Sequence, residues 1–168
     1  MFKKEYISSY LKWGFLSAVA FCIPMFIFLS SEDFVSTWLL FLGNAIVMVV
    51  IGAYMLALNK SKGENASTQT MVAAGHIATI VAIIISCIVA AIALPIFIPD
   101  IFSGGKSDGA LVNAPSQTGT GKTNGLVFIL FMCATVGNFC FGSFSSFMIP
   151  YTARRNQTKD RKSEVLNN

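Results

Sequence analysis

Charged residues are missing from most of this sequence. Positions 13–31, 34–59, 65–99 and 123–153 contain no Asp, Glu, Lys or Arg, and the 168-residue chain is 12% charged against 54% apolar. With a mean hydropathy of +0.66, too few charges remain to coat a water-soluble globule, so the bilayer is the natural solvent. A hydrocarbon core of about 30 Å takes roughly 20 helical residues to cross. The first stretch, with 19 residues, is near that minimum; the other three have length to spare for tilt or interfacial turns.

The same absence bears on function. A charge at the bilayer centre costs about 2.5 kcal/mol or more, and pumps and proton-coupled exporters keep one because transport needs it. No span here has one, which argues against a small multidrug-type exporter. His76 is the single histidine, without a second ligand or base partner. Nor does the sequence hold a Ser/His constellation, paired carboxylates or a His-Glu-x-x-His run, so an intramembrane protease or acyl transferase is disfavoured and no catalytic residue is assigned. The expectation is a protein that is not an enzyme.

Cys22, Cys87, Cys133 and Cys140 all fall within the apolar stretches, which excludes an extracellular disulfide framework. Together with Met25, Met48 and Met132 they offer soft ligands of the kind Cu(I) prefers. No Cys-x-x-Cys pair and no sulfur cluster at a mouth accompanies them, so they read as small apolar fillers and no metal or cofactor is assigned. Gly119-Thr120-Gly121-Lys122-Thr123 has the outline of a phosphate-binding loop. Ser116 stands where its first glycine belongs, and no strand precedes it, so neither nucleotide nor nucleic acid is expected as a partner.

What is present is a distribution of bases. With the N-terminus inside, the inner segments carry Lys3, Lys4, Lys12, Lys60, Lys62, Arg154, Arg155, Lys159, Arg161 and Lys162; the outer ones carry Lys106 and Lys122. The asymmetry places both termini in the cytoplasm. Tyr10, Trp13 and Tyr151 fall at the expected inner interface and Trp38 near the outer one. Lys3 and Lys4 before an apolar run resemble a secretory signal, but the run is long and Leu29-Ser30-Ser31 lacks the small residue that cleavage needs. Bulky Phe21 before Cys22 likewise argues against a lipoprotein site. No cleavage is expected.

The fold class that follows is an all-α integral membrane protein, with four transmembrane helices in an antiparallel bundle. Residues 1–12 form a basic amphipathic lead that joins the first helix, helices cover about 13–29, 34–58, 71–99 and 125–151, and a flexible outer loop fills 100–124. A basic tail occupies 152–168. The turn at 30–33 is so short that the first two helices form a hairpin. Pro24 is expected to kink the first helix, Pro95 and Pro99 to fray the end of the third, and Ile149-Pro150 to end the fourth.

Small residues then define packing. Ala74, Ala78, Ala82, Ser86 and Ala90 recur every four positions on the third helix, and Ala134, Asn138, Gly142 and Ser146 make a matching row on the fourth. Apolar burial gains little in lipid, so close approach along such rows supplies the dispersion contacts that join helices. The two rows are expected to meet, with a shorter row on the second helix in Ala45, Ala53 and Ala57. Asn44 and Asn138 read as packing groups, since an interhelical hydrogen bond contributes about 0.6 to 2 kcal/mol. A sharper alternative makes Asn44, His76, Asn138 and Ser143, with Ser145 and Ser146, the lining of a polar path.

The tight first hairpin, the Lys60-Ser61-Lys62-Gly63 turn, the long polar loop before the last helix and the Arg154-Arg155 stop resemble small four-helix membrane proteins common in Bacteroidota. That family has no established activity, so the resemblance implies a location, the bacterial inner membrane, and nothing further. The function expected is an accessory or oligomeric membrane subunit acting through helix packing. Its expected partners are anionic inner-leaflet lipids and either itself or another membrane protein. The alternative is a passive or weakly coupled conduit for a small solute.

Overall fold

The computed structural model describes residues 4–31, 33–62, 67–99 and 122–166. The elements of the described residues are all helical: α1 (Lys4–Ser30), α2 (Trp38–Lys62), α3 (Thr68–Phe97), α4 (Lys122–Met132) and α5 (Asn138–Leu166). A π-helical turn, Cys133–Gly137, joins α4 to α5 as one continuous rod. Among the described residues, four segments are long and apolar enough to cross a membrane: Ile7–Ser30, Phe34–Ser61, Thr68–Phe97 and Gly125–Thr152.

Local chemistry sets the helix ends. The Ser30 and Ser31 hydroxyls donate to the carbonyls of Phe26 and Phe28, closing α1. Asp33 accepts from the Val35 amide at 3.0 Å and starts a short 3-10 turn, Phe34–Thr37, that runs into α2. Ser67 caps α3 by accepting from the Thr70 amide at 3.1 Å, which satisfies one of the unpaired donors of the first turn.

Several helices run further than their sequence predicts. α1 begins at Lys4, and the described part of the basic lead joins it as expected. α5 passes through Pro150 and on through the basic tail to Leu166, where Ile149-Pro150 was expected to stop it. A proline ring deletes one backbone hydrogen bond, and within a packed helix the neighbouring turns absorb that loss. Pro24 and Pro95 likewise sit inside α1 and α3. The expected outer loop at 100–124 lies outside the described residues except for 122–124, which already belong to α4. Positions 1–3 of the lead, 63–66 of the inner turn and 167–168 of the tail also lie outside them.

α1 packs against α2 and α3, and α5 packs against the same two. Phe21, Met25, Phe28, Leu40, Val47, Ile51 and Met55 are fully buried between them. Gly14 lets α1 press onto α3, since a Cβ there would lie 2.8 Å from the Ala78 carbonyl oxygen. Trp13 and Tyr10 turn inward: Tyr10 is buried, and Trp13 stacks on Tyr54 with ring centroids 5.4 Å apart. Trp38 and Tyr151 remain exposed.

α3 shows what kind of solvent surrounds the bundle. Its small residues Ala74, Ala78, Ala82, Ser86 and Ala90 are buried, while Ile80, Ile84, Ile88, Ile92 and Ile96 form an outer row exposed by 48 to 68%. A soluble helix has the opposite arrangement, with large apolar residues inside. In lipid, large side chains meet acyl chains without loss and small ones let backbones approach.

Candidate functional site

The most polar part of the bundle interior is a layer at the π turn. Asn44 on α2, Ser86 on α3 and Asn138 at the start of α5 are each at most 1% exposed. The Asn138 amide donates through Nδ2 to the Ala134 carbonyl at 3.0 Å. Among the described residues, its Oδ1, both polar atoms of the Asn44 amide and the Ser86 hydroxyl have no hydrogen-bond partner. The Cys133 thiol lies next to the Asn44 amide, a weak donor that leaves it without a hydrogen bond of ordinary geometry.

The backbone makes room for this layer. Across the π turn the Asn138 amide N–H bonds back to the Cys133 carbonyl, five residues earlier, in place of the usual four. Such a turn widens the helix locally and is common where a helix does something besides pack. Gly137 sits in it against Asn44: a Cβ on Gly137 would stand 2.3 Å from Asn44 Nδ2.

Nearer the start of α3, α3 and α5 meet through an interlock. A Cβ on Gly75 would lie 2.3 Å from Ser146 Oγ, and one on Gly142 would lie 2.5 Å from Thr79 Cγ2 and Oγ1. Each hydroxyl is satisfied within its own helix, Ser146 donating to the Gly142 carbonyl at 2.7 Å and Thr79 to the Gly75 carbonyl at 2.8 Å. Each glycine thus receives a side chain whose polar atom is already engaged.

The α3 residues facing Gly142 and Ser146 are therefore Gly75 and Thr79, one position beyond Ala74 and Ala78. At about 100° per residue, the alanine row lies between the face toward α5 and the face toward α1, where Ala78 meets Gly14. Ala134 is fully buried and Gly142 is buried. The row on α2 is different: Ala45 is half-buried, and Ala53 and Ala57 are exposed on the outside of the bundle.

Ser145 and His76 engage helix backbone, and His76 also aromatic rings. Ser145 donates across to the Met48 carbonyl of α2 at 2.8 Å. His76 is half-buried, and its Nδ1 donates to the Val72 carbonyl at 2.9 Å, which fixes the proton on that nitrogen because a carbonyl can only accept. Its ring meets Phe147 and Phe139 edge-on, with centroids 4.9 and 6.4 Å away. Ser143 is half-buried, and its enclosed hydroxyl has no partner among the described residues. The structure brings Asn44 against Gly137 of the π turn, which Asn138 follows; His76 stands apart, against the Phe139–Phe147 side of α5.

Among the described residues, no three His, Cys, Asp or Glu side chains come together. Cys22, Cys87, Cys133 and Cys140 are free thiols, Cys22 and Cys133 buried and Cys140 exposed. No protein-family model matches the chain, and no curated protein or solved structure matches it either.

Proposed function

We propose that this chain is a small accessory or oligomeric subunit of a bacterial inner membrane, working through helix packing rather than chemistry. The observation that carries the reading is the Gly75/Ser146 and Gly142/Thr79 interlock, in which the polar atoms are turned back into their own helices and the contact is made by fit. Ser145 serves the same end by bonding α5 to the α2 backbone. With most of their polar groups bonded to helix backbone or enclosed between helices, the four spans offer their surroundings an almost wholly apolar exterior, the surface that a lipid-embedded partner meets.

The finer architecture belongs to this proposal. Trp13 on Tyr54 and Gly43 on Phe21 run in opposite order along α1 and α2, and Gly75 on Ser146 with Thr79 on Gly142 does the same for α3 and α5. These pairs support antiparallel consecutive spans. Asn44 with Gly137, Met48 with Ser145 and Gly52 with Ile149 advance together, which supports α2 and α5 running side by side in one direction. The excess of bases on the lead, the second turn and the tail supports both termini facing the cytoplasm.

The test is to extract native membranes into polymer nanodiscs and measure the mass of the particles that hold this chain. Additional copies, or a second protein in fixed proportion, are expected. A single chain per particle contradicts the proposal.

A further inference from the structure

Between α2 and α5 the outer surface is hollowed into a trench, open to the surroundings and apolar throughout. One section, of about 380 Å³, is lined by Gly52, Ala53, Leu56, Ser145 and Met148 among others. A second, of about 320 Å³, shares Met48 and Phe144 with it and continues toward Cys140. From Cys140 to Ile149 the trench follows α5 for about 14 Å at 1.5 Å per residue. Gly52 has no side chain to fill it and Ala53 has little more. The hydroxyl on its wall, Ser145, is already committed to the Met48 carbonyl.

Basic positions follow one end of the trench along both helices. Leu56 and Ile149 lie toward the same end, because contacts between α2 and α5 advance together along both helices. Lys60, exposed, follows Leu56 by one turn on α2, and α5 continues from Ile149 through Arg154 and Arg155. At helical rise those positions stand about 6 to 9 Å beyond the trench. No Asp or Glu occurs between Met48 and Lys62, or between Cys140 and Lys159.

An apolar trench along two membrane helices, followed within two turns by basic positions on both, matches a molecule that is hydrocarbon for most of its length and anionic at one end. We infer that the α2/α5 trench is a binding site for an anionic phospholipid, with an acyl chain along Gly52 and Ala53 and its phosphate at the level of Lys60, Arg154 and Arg155. A partner helix seated here would need an acidic residue at that level. The phospholipid brings both parts in one molecule. This assignment rests on the reading that the basic ends of the chain meet anionic lipid, and it adds a place on the protein where one such lipid stays.

The test is native mass spectrometry of the full chain, with phosphatidylglycerol and phosphatidylcholine of identical acyl chains offered in equal amounts. Two changes probe the two halves of the site. Arg154→Gln with Arg155→Gln removes two bases, and at about 1 kcal/mol, or fivefold, per base it is expected to cut phosphatidylglycerol retention about 25-fold. Ala53→Trp fills the trench from an exposed position and is expected to abolish the retained lipid, whereas Ile84→Trp on the outer row of α3 leaves it in place. Val49→Trp, at another exposed position on the trench wall, repeats the blocking test should Ala53→Trp yield poorly.

Retention that favours phosphatidylglycerol but ignores both trench substitutions overturns the site while leaving the general attraction to anionic lipid intact. Equal retention of the two lipids overturns both. A particle of doubled mass that excludes lipid assigns the trench to a second copy and also overturns the site.

Discussion

The Asn44 amide occupies the place where Gly137 has no side chain, with Nδ2 standing 2.3 Å from where a Cβ would be. The π turn brings a backbone without a side chain against a polar group buried in the middle of the bundle. Gly137→Ala must therefore push α2 and the fourth span apart. The expected loss is about 1–3 kcal/mol, read as reduced resistance to denaturant in detergent. Asn44→Ala in the same chain is expected to recover most of it, giving a coupling of about 1 kcal/mol or more in the double-mutant cycle. Losses that simply add would place the two residues out of contact.

The Gly75/Ser146 pair makes a second prediction of the same kind. Gly75→Ala is expected to destabilise by about 1–3 kcal/mol, and Ser146→Gly to relieve much of that loss. Ile84→Ala, on the outer row of α3, is expected to stay within about 0.5 kcal/mol of the parent. If Ile84→Ala proves as costly as Gly75→Ala, the inside and outside of α3 have been exchanged.

These contacts mark how much was legible in the sequence. The spans were, because uncharged runs of this length have one physical use. Small residues every four positions drew attention to α3 and the fourth span. Periodicity reports a row without its direction, however, and Gly75 and Thr79, which meet Gly142 and Ser146, sit one position from the alanines that made the row visible. The spacing Gly75-x-x-x-Thr79 opposite Gly142-x-x-x-Ser146 was the available signal. The α2 alanines show the same blindness, since Ala53 and Ala57 lie outside and line or flank a trench. Nothing local announces the π turn: Cys-Ala-Thr-Val-Gly is unremarkable until Asn44 is placed beside Gly137, ninety-three positions away.

Asn44 itself tests whether the polar layer is dry. A buried amide without a partner costs about 1–3 kcal/mol, so Asn44→Leu, of similar breadth, is expected to hold stability or raise it by about 1 kcal/mol. A fall of more than about 2 kcal/mol, again in denaturant, would mean that the amide has a partner such as a bound water or solute. That result would favour the conduit.

Orientation is checked with single cysteines in a chain whose four native cysteines have been replaced. Val35→Cys, in the exposed turn before α2, is expected to react with a membrane-impermeant maleimide in intact cells. Lys60→Cys, at the other end of α2, is expected to react after lysis alone. The reverse pattern would invert the topology drawn from the basic residues.

The central claim, that this chain acts by packing against another membrane chain, is tested most directly by amine crosslinking in native membranes. Peptides carrying Lys60, Lys62 and the tail lysines are then identified by mass spectrometry. Reproducible links from these lysines to a different membrane protein, or to a second copy of this chain, are the predicted result. Links confined to lysines of one and the same molecule, at every expression level, would contradict it.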